Sequence, residues 1–152
     1  MSSRPASNPP GASAGKLSIG IGLPVLKRHV TQDVIDNYAK ASGDFNPIHV
    51  DPDFAAKGPF GRTIAHGLMT LAFVSQLMND WSGGAFDECG ALDVAFVGPV
   101  FAGDTVEVSG IVESMTEVDG RPAALVKIIC KAGDRQILAG TATQPLEPVK
   151  EI

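Results

Sequence analysis

An α+β domain is predicted from the chain, with an antiparallel β-sheet packed around one long buried helix. Three observations carry that expectation. Residues 67–79, GLMTLAFVSQLMN, form a helix-length run in which eight of the eleven residues from Leu68 to Met78 are apolar. A helix apolar nearly all round is a buried one. After Gly83-Gly84 the apolar pattern changes to period two, the period of a half-buried strand. The chain has 152 residues, the size of one domain, and a domain that large buries roughly 68–70% of its unfolded surface.

The elements follow in order. Residues 1–16, MSSRPASNPPGASAGK, contain twelve Ser, Pro, Gly or Ala. So little apolar surface cannot offset the entropy of ordering the segment, and it is expected to be a disordered tail. It has no apolar stretch of the kind a signal peptide needs. The folded domain is then 17–152. Gly20-x-Gly22 is not a dinucleotide fingerprint, because Val25 stands where a third glycine belongs and Pro24 opposes the helix that must follow. VLKRHV at 25–30 reads as a short strand. Thr31 caps a helix to about Ala41, with Val34, Ile35, Tyr38 and Ala41 on one face. Ser42-Gly43 ends it. DFNPIHVD reads as a loop. Asp51 caps a short helix with Pro52 at its first position and Gly58 after it. GPFGRTIAHG at 58–67 is a glycine-rich loop, and the buried helix then runs ~20 Å at 1.5 Å per residue. Strands are expected at 91–97, 104–118, 122–133 and 135–146, separated by GP, AGD, DGRP and GD turn signals and joined as a meander. The flat edge of such a sheet needs cover, which favours a dimer.

Composition excludes several classes. Seventeen acidic against twelve basic residues give a net charge of −5, against the basic patch that nucleic-acid binding requires. There is no apolar run of membrane-spanning length. Cys89 and Cys130 are the only cysteines and lack the spacing of a zinc site or a disulfide framework, so a reducing, cytoplasmic setting is expected.

Chemistry concentrates in two segments. In GDFNPIHVD, 43–51, Asp44 and His49 flank Asn46-Pro47, whose turn can bring the two side chains together. A carboxyl and an imidazole facing one space make an acid/base pair. The alternative is that Asp44 caps the turn and His49 packs. In GRTIAHG, 61–67, Gly67 opens the long helix. The first N–H groups of a helix have no intrahelical acceptor and carry the positive end of its dipole, so they suit an oxyanion. Alternatively, Gly67 only permits tight packing. His49, Asp51 and His66 have no metalloenzyme spacing, and no metal is expected; His66, next to Gly67, fixes the loop. Lys57, Arg62, Lys131 and Arg135 are candidates for phosphate contacts.

SGDFNPIHVD followed by FAAKGPFGRTIAHGLM resembles the hydratase-2 signature of the MaoC-like dehydratases, which include the (R)-specific enoyl-CoA hydratases. The motif match covers about residues 38–78, and the strand order extends the likeness to about 145. The resemblance implies a hot-dog fold, usually a homodimer, acting on CoA or acyl-carrier-protein thioesters in fatty acid metabolism without a resident cofactor. It makes Asp44 and His49 the catalytic pair and gives the thioester oxygen to the Gly67 N–H. Asn46 shapes the loop near the water, and Ser75 corresponds to a serine seen near the active site in some members. Arg62 and His66 are placed among the substrate contacts. The implied reaction is hydration of a trans-2-enoyl thioester to an (R)-3-hydroxyacyl thioester, or the reverse. His49 takes a proton from water. Asp44 delivers one to C2, and must be protonated at that step; the reverse assignment of the two roles stays open, as does a proton shared by the pair. Two other readings stay open: a hot-dog thioesterase, and a non-catalytic acyl-thioester-binding subunit.

Overall fold

The computed structural model describes residues 17–146. The expected tail, 1–16, and the last six residues of the expected domain lie outside the described residues. In chain order the elements are β1 (Leu26–His29), α1 (Gln32–Ser42), α2 (Pro47–Val50), α3 (Pro52–Ala56), α4 (Gly67–Ser82), α5 (Phe86–Cys89), β2 (Ala91–Phe96), β3 (Thr105–Val118), β4 (Arg121–Ala132) and β5 (Arg135–Pro145). The strands form one antiparallel sheet in the order β1-β3-β4-β5-β2. Its inner face and α4 share one core. Met69, Val74, Leu77 and Met78 of the helix pack with Val106, Val108, Val126, Ile128 and Leu138 of the strands. A sheet wrapped on one long helix is the hot-dog arrangement, and the α+β expectation holds.

Local signals in the sequence account for most of these boundaries. Thr31 caps α1 by accepting from the Val34 N–H, and Gly43, at φ 79, ends it in the left-handed conformation that glycine adopts without a Cβ penalty. Asp51 caps α3 through the Asp53 and Phe54 N–H groups. Along β3, Val106, Val108, Gly110 and Val112 are buried in strict alternation. Asp119 and Gly120 both have positive φ, 50 and 75, which is the backbone a right-handed twisted two-residue hairpin demands. A register shift between Val112 and Ser114 bends β3, as an extra residue in one strand does.

Four expectations need correction. The meander is β3-β4-β5 only. β2 crosses the sheet and pairs with β5, Ala91 opposite Thr143 through Phe96 opposite Leu138. Period two identifies strands but carries no pairing order. This pairing needs Gly140, where a Cβ would overlap the Asp93 carbonyl. The loop at 44–51 contains a helical turn, α2, because Asn46 and Pro47 serve as N-cap and first residue as readily as they make a turn. The α1 face toward the core is Ile35, Ala39 and half-buried Tyr38, whereas Val34 and Ala41 are exposed. Finally, α4 is not covered all round. Leu68, Ala72 and Gln76 form an exposed stripe at four-residue spacing, and Leu68 is 64% exposed. α5 was not expected.

Among the described residues no helix is long and apolar enough to cross a membrane. Both cysteines are free. Burial pushes the Cys130 thiol up to about 12, so the sheet holds it as an inert packing group.

Candidate active site

The site forms where the turn after α1 meets the start of α4. Gly43 releases the chain from α1, and two side-chain turns then fold it back. Asp44 Oδ1 accepts the Asn46 N–H at 3.1 Å, and Asn46 Oδ1 accepts the Ile48 N–H at 3.2 Å. His49 is thereby placed on α2 beside Asp44. The two carboxylate oxygens of Asp44 face different neighbours. Oδ1 serves the turn, while Oδ2 lies 4.0 Å from His49 Nε2. That separation is too long for a hydrogen bond and short enough for one water oxygen to touch both groups.

The tautomer of His49 follows from its surroundings. Nδ1 is 2.7 Å from the Ile64 carbonyl. A carbonyl only accepts, so Nδ1 carries the proton, and in the neutral ring Nε2 presents its lone pair. The His49 backbone is fixed as well. Gln32 Nε2 donates to its carbonyl at 2.8 Å, and Thr63 Oγ1 donates to Gln32 Oε1 at 2.6 Å. The His49 side chain is 9% exposed and that of Asp44 is 54% exposed.

His49 and Gly67 line one cavity of about 390 Å³, together with Thr70, Phe96, Val100 and Ile137. Gly67 is the first residue of α4, so its N–H has no intrahelical acceptor. A Cβ on Gly67 would sit 3.4 Å from the Phe96 ring, so glycine keeps this end of the cavity open.

The remaining expected residues divide. Asn46 shapes the turn. Ser75 is half-buried and does not line the cavity. His66 is 2% exposed and lies against His49; neither it nor Asp44 is among the residues that line the cavity. Arg62 donates to the Ala102 carbonyl at 2.7 Å and stacks on Phe101, 4.7 Å from the ring centre. Arg135 covers the same ring at 4.6 Å and is ion-paired with Asp104. Asp51 is used as the α3 cap. The larger apolar side chains of α4, Met69, Phe73 and Met78, do not wall the cavity. Phe60, Phe96, Val97 and Ile137 wall it instead. Gln32 and Thr63 escaped sequence reasoning because polar residues at a helix start and in a loop carry no distinguishing pattern.

Ligating atoms of Asp44, His49 and His66 lie within 4.8 Å of one another. The two imidazoles are stacked, centroids 3.9 Å apart and planes 28° apart. Ring lone pairs lie in the ring plane, so near-parallel stacked rings direct them side by side rather than at a common ion. The arrangement suits proton transfer better than ligation.

A family model, the MaoC-like domain, matches residues 22–131. The chain is 34% identical over 126 residues to a 3-hydroxybutyryl-CoA dehydratase of Methylorubrum extorquens, covering 83% of this chain and 78% of that protein. It is 33% identical over 134 residues to an (R)-specific enoyl-CoA hydratase of Aeromonas caviae, covering 88% of this chain and 98% of that one. Among solved structures, an (R)-hydratase from A. caviae involved in PHA biosynthesis superposes with a TM-score of 0.75 at 27% identity, covering 88% and 99% of the two chains.

Proposed function

Because the chain belongs to the MaoC-like domain family, we propose that it is a hydro-lyase that interconverts trans-2-enoyl and (R)-3-hydroxyacyl thioesters. The observation that carries the reading is the His49 Nε2 lone pair, 4.0 Å from Asp44 Oδ2 in a ring that lines the same cavity as Gly67. A water between the two side chains gives a proton to His49 Nε2 as its oxygen attacks C3 of the enoyl group. Negative charge moves onto the thioester oxygen, where the Gly67 N–H and the α4 dipole stabilise it. One such donor is typically worth ~2.7–4 kcal/mol. A proton then reaches C2 from Asp44. The proton taken by His49 then passes to the Asp44 carboxylate through the next water to enter, which restores the pair. Dehydration runs the same steps backward.

The thioester carrier is part of the substrate, and the reaction uses no resident cofactor. Relatives named as acting on CoA thioesters support CoA as that carrier. The two free cysteines support a reducing, cytoplasmic setting. Hot-dog thioesterases typically present a carboxylate or amide on the central helix, and the first two turns of α4, Gly67 to Val74, offer none.

We place the carrier phosphates near Arg62, whose charge is not neutralised by a carboxylate among the ion pairs of the described residues. Arg62→Ala is expected to raise KM for crotonyl-CoA about two- to fivefold, the scale of an exposed charge pair, with kcat unchanged. The effect should vanish with crotonyl-pantetheine, which has no phosphate; an equal effect on both substrates would remove Arg62 from phosphate binding.

A second copy of the chain is the proposed cover for the outer edge of β2, where Phe96 and Val97 are 51% and 55% exposed. The test of the whole reading is crotonyl-CoA hydration followed by enoyl absorbance, with chiral analysis of the product, a free-thiol assay, and light scattering on the same sample. Loss of absorbance with (R)-3-hydroxybutyryl-CoA formed, by a particle twice the 15.8 kDa chain mass, is expected. Thiol release without hydration would assign a thioesterase. Binding without turnover of any enoyl thioester would assign a non-catalytic subunit. A monomer that turns over at full rate would remove the dimer.

A further inference from the structure

His66 stands outside the reaction just described, yet it touches both members of the acid/base pair. It is the N-cap residue of α4, but its side chain does not cap the helix. Its Nε2 lies 2.9 Å from the Asp44 backbone carbonyl. That carbonyl only accepts, so Nε2 carries the hydrogen and donates it. Its face lies on the His49 ring with 3.9 Å between centroids, and Tyr38 flanks it at 4.8 Å. One ring therefore fixes the main chain of Asp44 and the ring plane of His49.

Packing alone does not explain a histidine here. The residue is 2% exposed, and its Nδ1 is buried with no hydrogen-bond partner among the described residues. A buried polar atom without a partner costs stability. Phenylalanine would fill the same slot without that cost. What phenylalanine lacks is the N–H that holds the Asp44 carbonyl. What a straight-chain amide lacks is the ring face beneath His49. Of the three, only an imidazole supplies both.

We infer that His66 is a positioning residue for the pair. It sets the gap between Asp44 and His49, and it presents a π face to the imidazolium that forms when His49 takes its proton. The inference rests on the hydro-lyase reading above. Small errors in such a gap are expensive, because reacting groups misplaced by about 1 Å lose up to 10²-fold in rate.

The experiment compares wild type, His66→Phe, His66→Gln and His66→Ala, with Asp44→Asn and His49→Gln as references. kcat, KM and melting temperature are measured for each with crotonyl-CoA. The Phe variant keeps the stack and loses the donor; the Gln variant keeps the donor and loses the stack. Each should lose about tenfold in kcat and the Ala variant about a hundredfold, with KM within about threefold of wild type. Adding His66→Phe to Asp44→Asn should cost little more than Asp44→Asn alone, because the donor acts through Asp44. A purely structural residue would instead lower kcat in step with melting temperature and add its loss to that of Asp44→Asn. Wild-type kcat in His66→Phe and His66→Gln, with both reference variants inactive, overturns the positioning role and leaves the hydro-lyase reading intact. Absence of hydration in wild type overturns both.

Discussion

His49→Gln is expected to lower the hydration turnover number at least ~10²-fold, the low end for a positioned base. The reason is specific to Nε2. Glutamine carries its amide about where Nε2 now stands and fills the ring's place, while the Nδ1 bond to the Ile64 carbonyl, 2.7 Å long, is given up. It offers no basic lone pair toward the space beside Asp44 Oδ2. The water there then has nothing to take its proton as it attacks, and the step fails chemically while the pocket still binds. KM should therefore change far less than kcat. Circular dichroism and melting curves establish that the variant is folded. Turnover within tenfold of wild type would show that His49 is a packing residue and that the base lies elsewhere.

Asp44→Asn should cost a similar ~10²-fold or more in kcat, and it separates the two duties of the side chain. The amide oxygen of asparagine can still accept the Asn46 N–H, now held by Oδ1 at 3.1 Å. The turn that carries His49 into place is preserved. What is lost is the carboxyl group whose Oδ2 stands 4.0 Å from His49 Nε2 and exchanges a proton with C2. If Asp44 matters only to the turn, Asn should be nearly as active as wild type, and Asp44→Ala, which removes the acceptor, should be the damaging change. The double variant supplies a further check. Groups that act as a unit are strongly non-additive, so Asp44→Asn with His49→Gln should be little slower than either alone. A multiplied loss would mean that the two residues serve separate steps.

Much of this molecule is local in origin. Thr31, Asn46 and Asp51 each meet an N–H two or three residues ahead, so a short stretch of sequence contains both partners. Asp119-Gly120 carries its own turn conformation. The alternation of Val106, Val108 and Val112 needs only the period of a strand. The pairing of Asp44 with His49 belongs here too, since one turn closed by Asn46 and Pro47 spans it. The motif was legible because its geometry is made within a few residues.

The rest is made across the chain. His49 takes its tautomer from a carbonyl 15 residues away, and Asp44 is held by a ring 22 residues away. β2 finds β5 rather than β3, and that choice brings Phe96 to Gly67 and Ile137 to the cavity wall. The exposed stripe Leu68, Ala72 and Gln76 is invisible in composition, because Leu68 is as apolar as the buried Met69 beside it. Periodicity and capping record what a residue asks of its near neighbours. Which distant surface answers is settled by how helix and sheet pack together, and that packing assembles the pair, the N–H of Gly67 and the stacked His66 into one site.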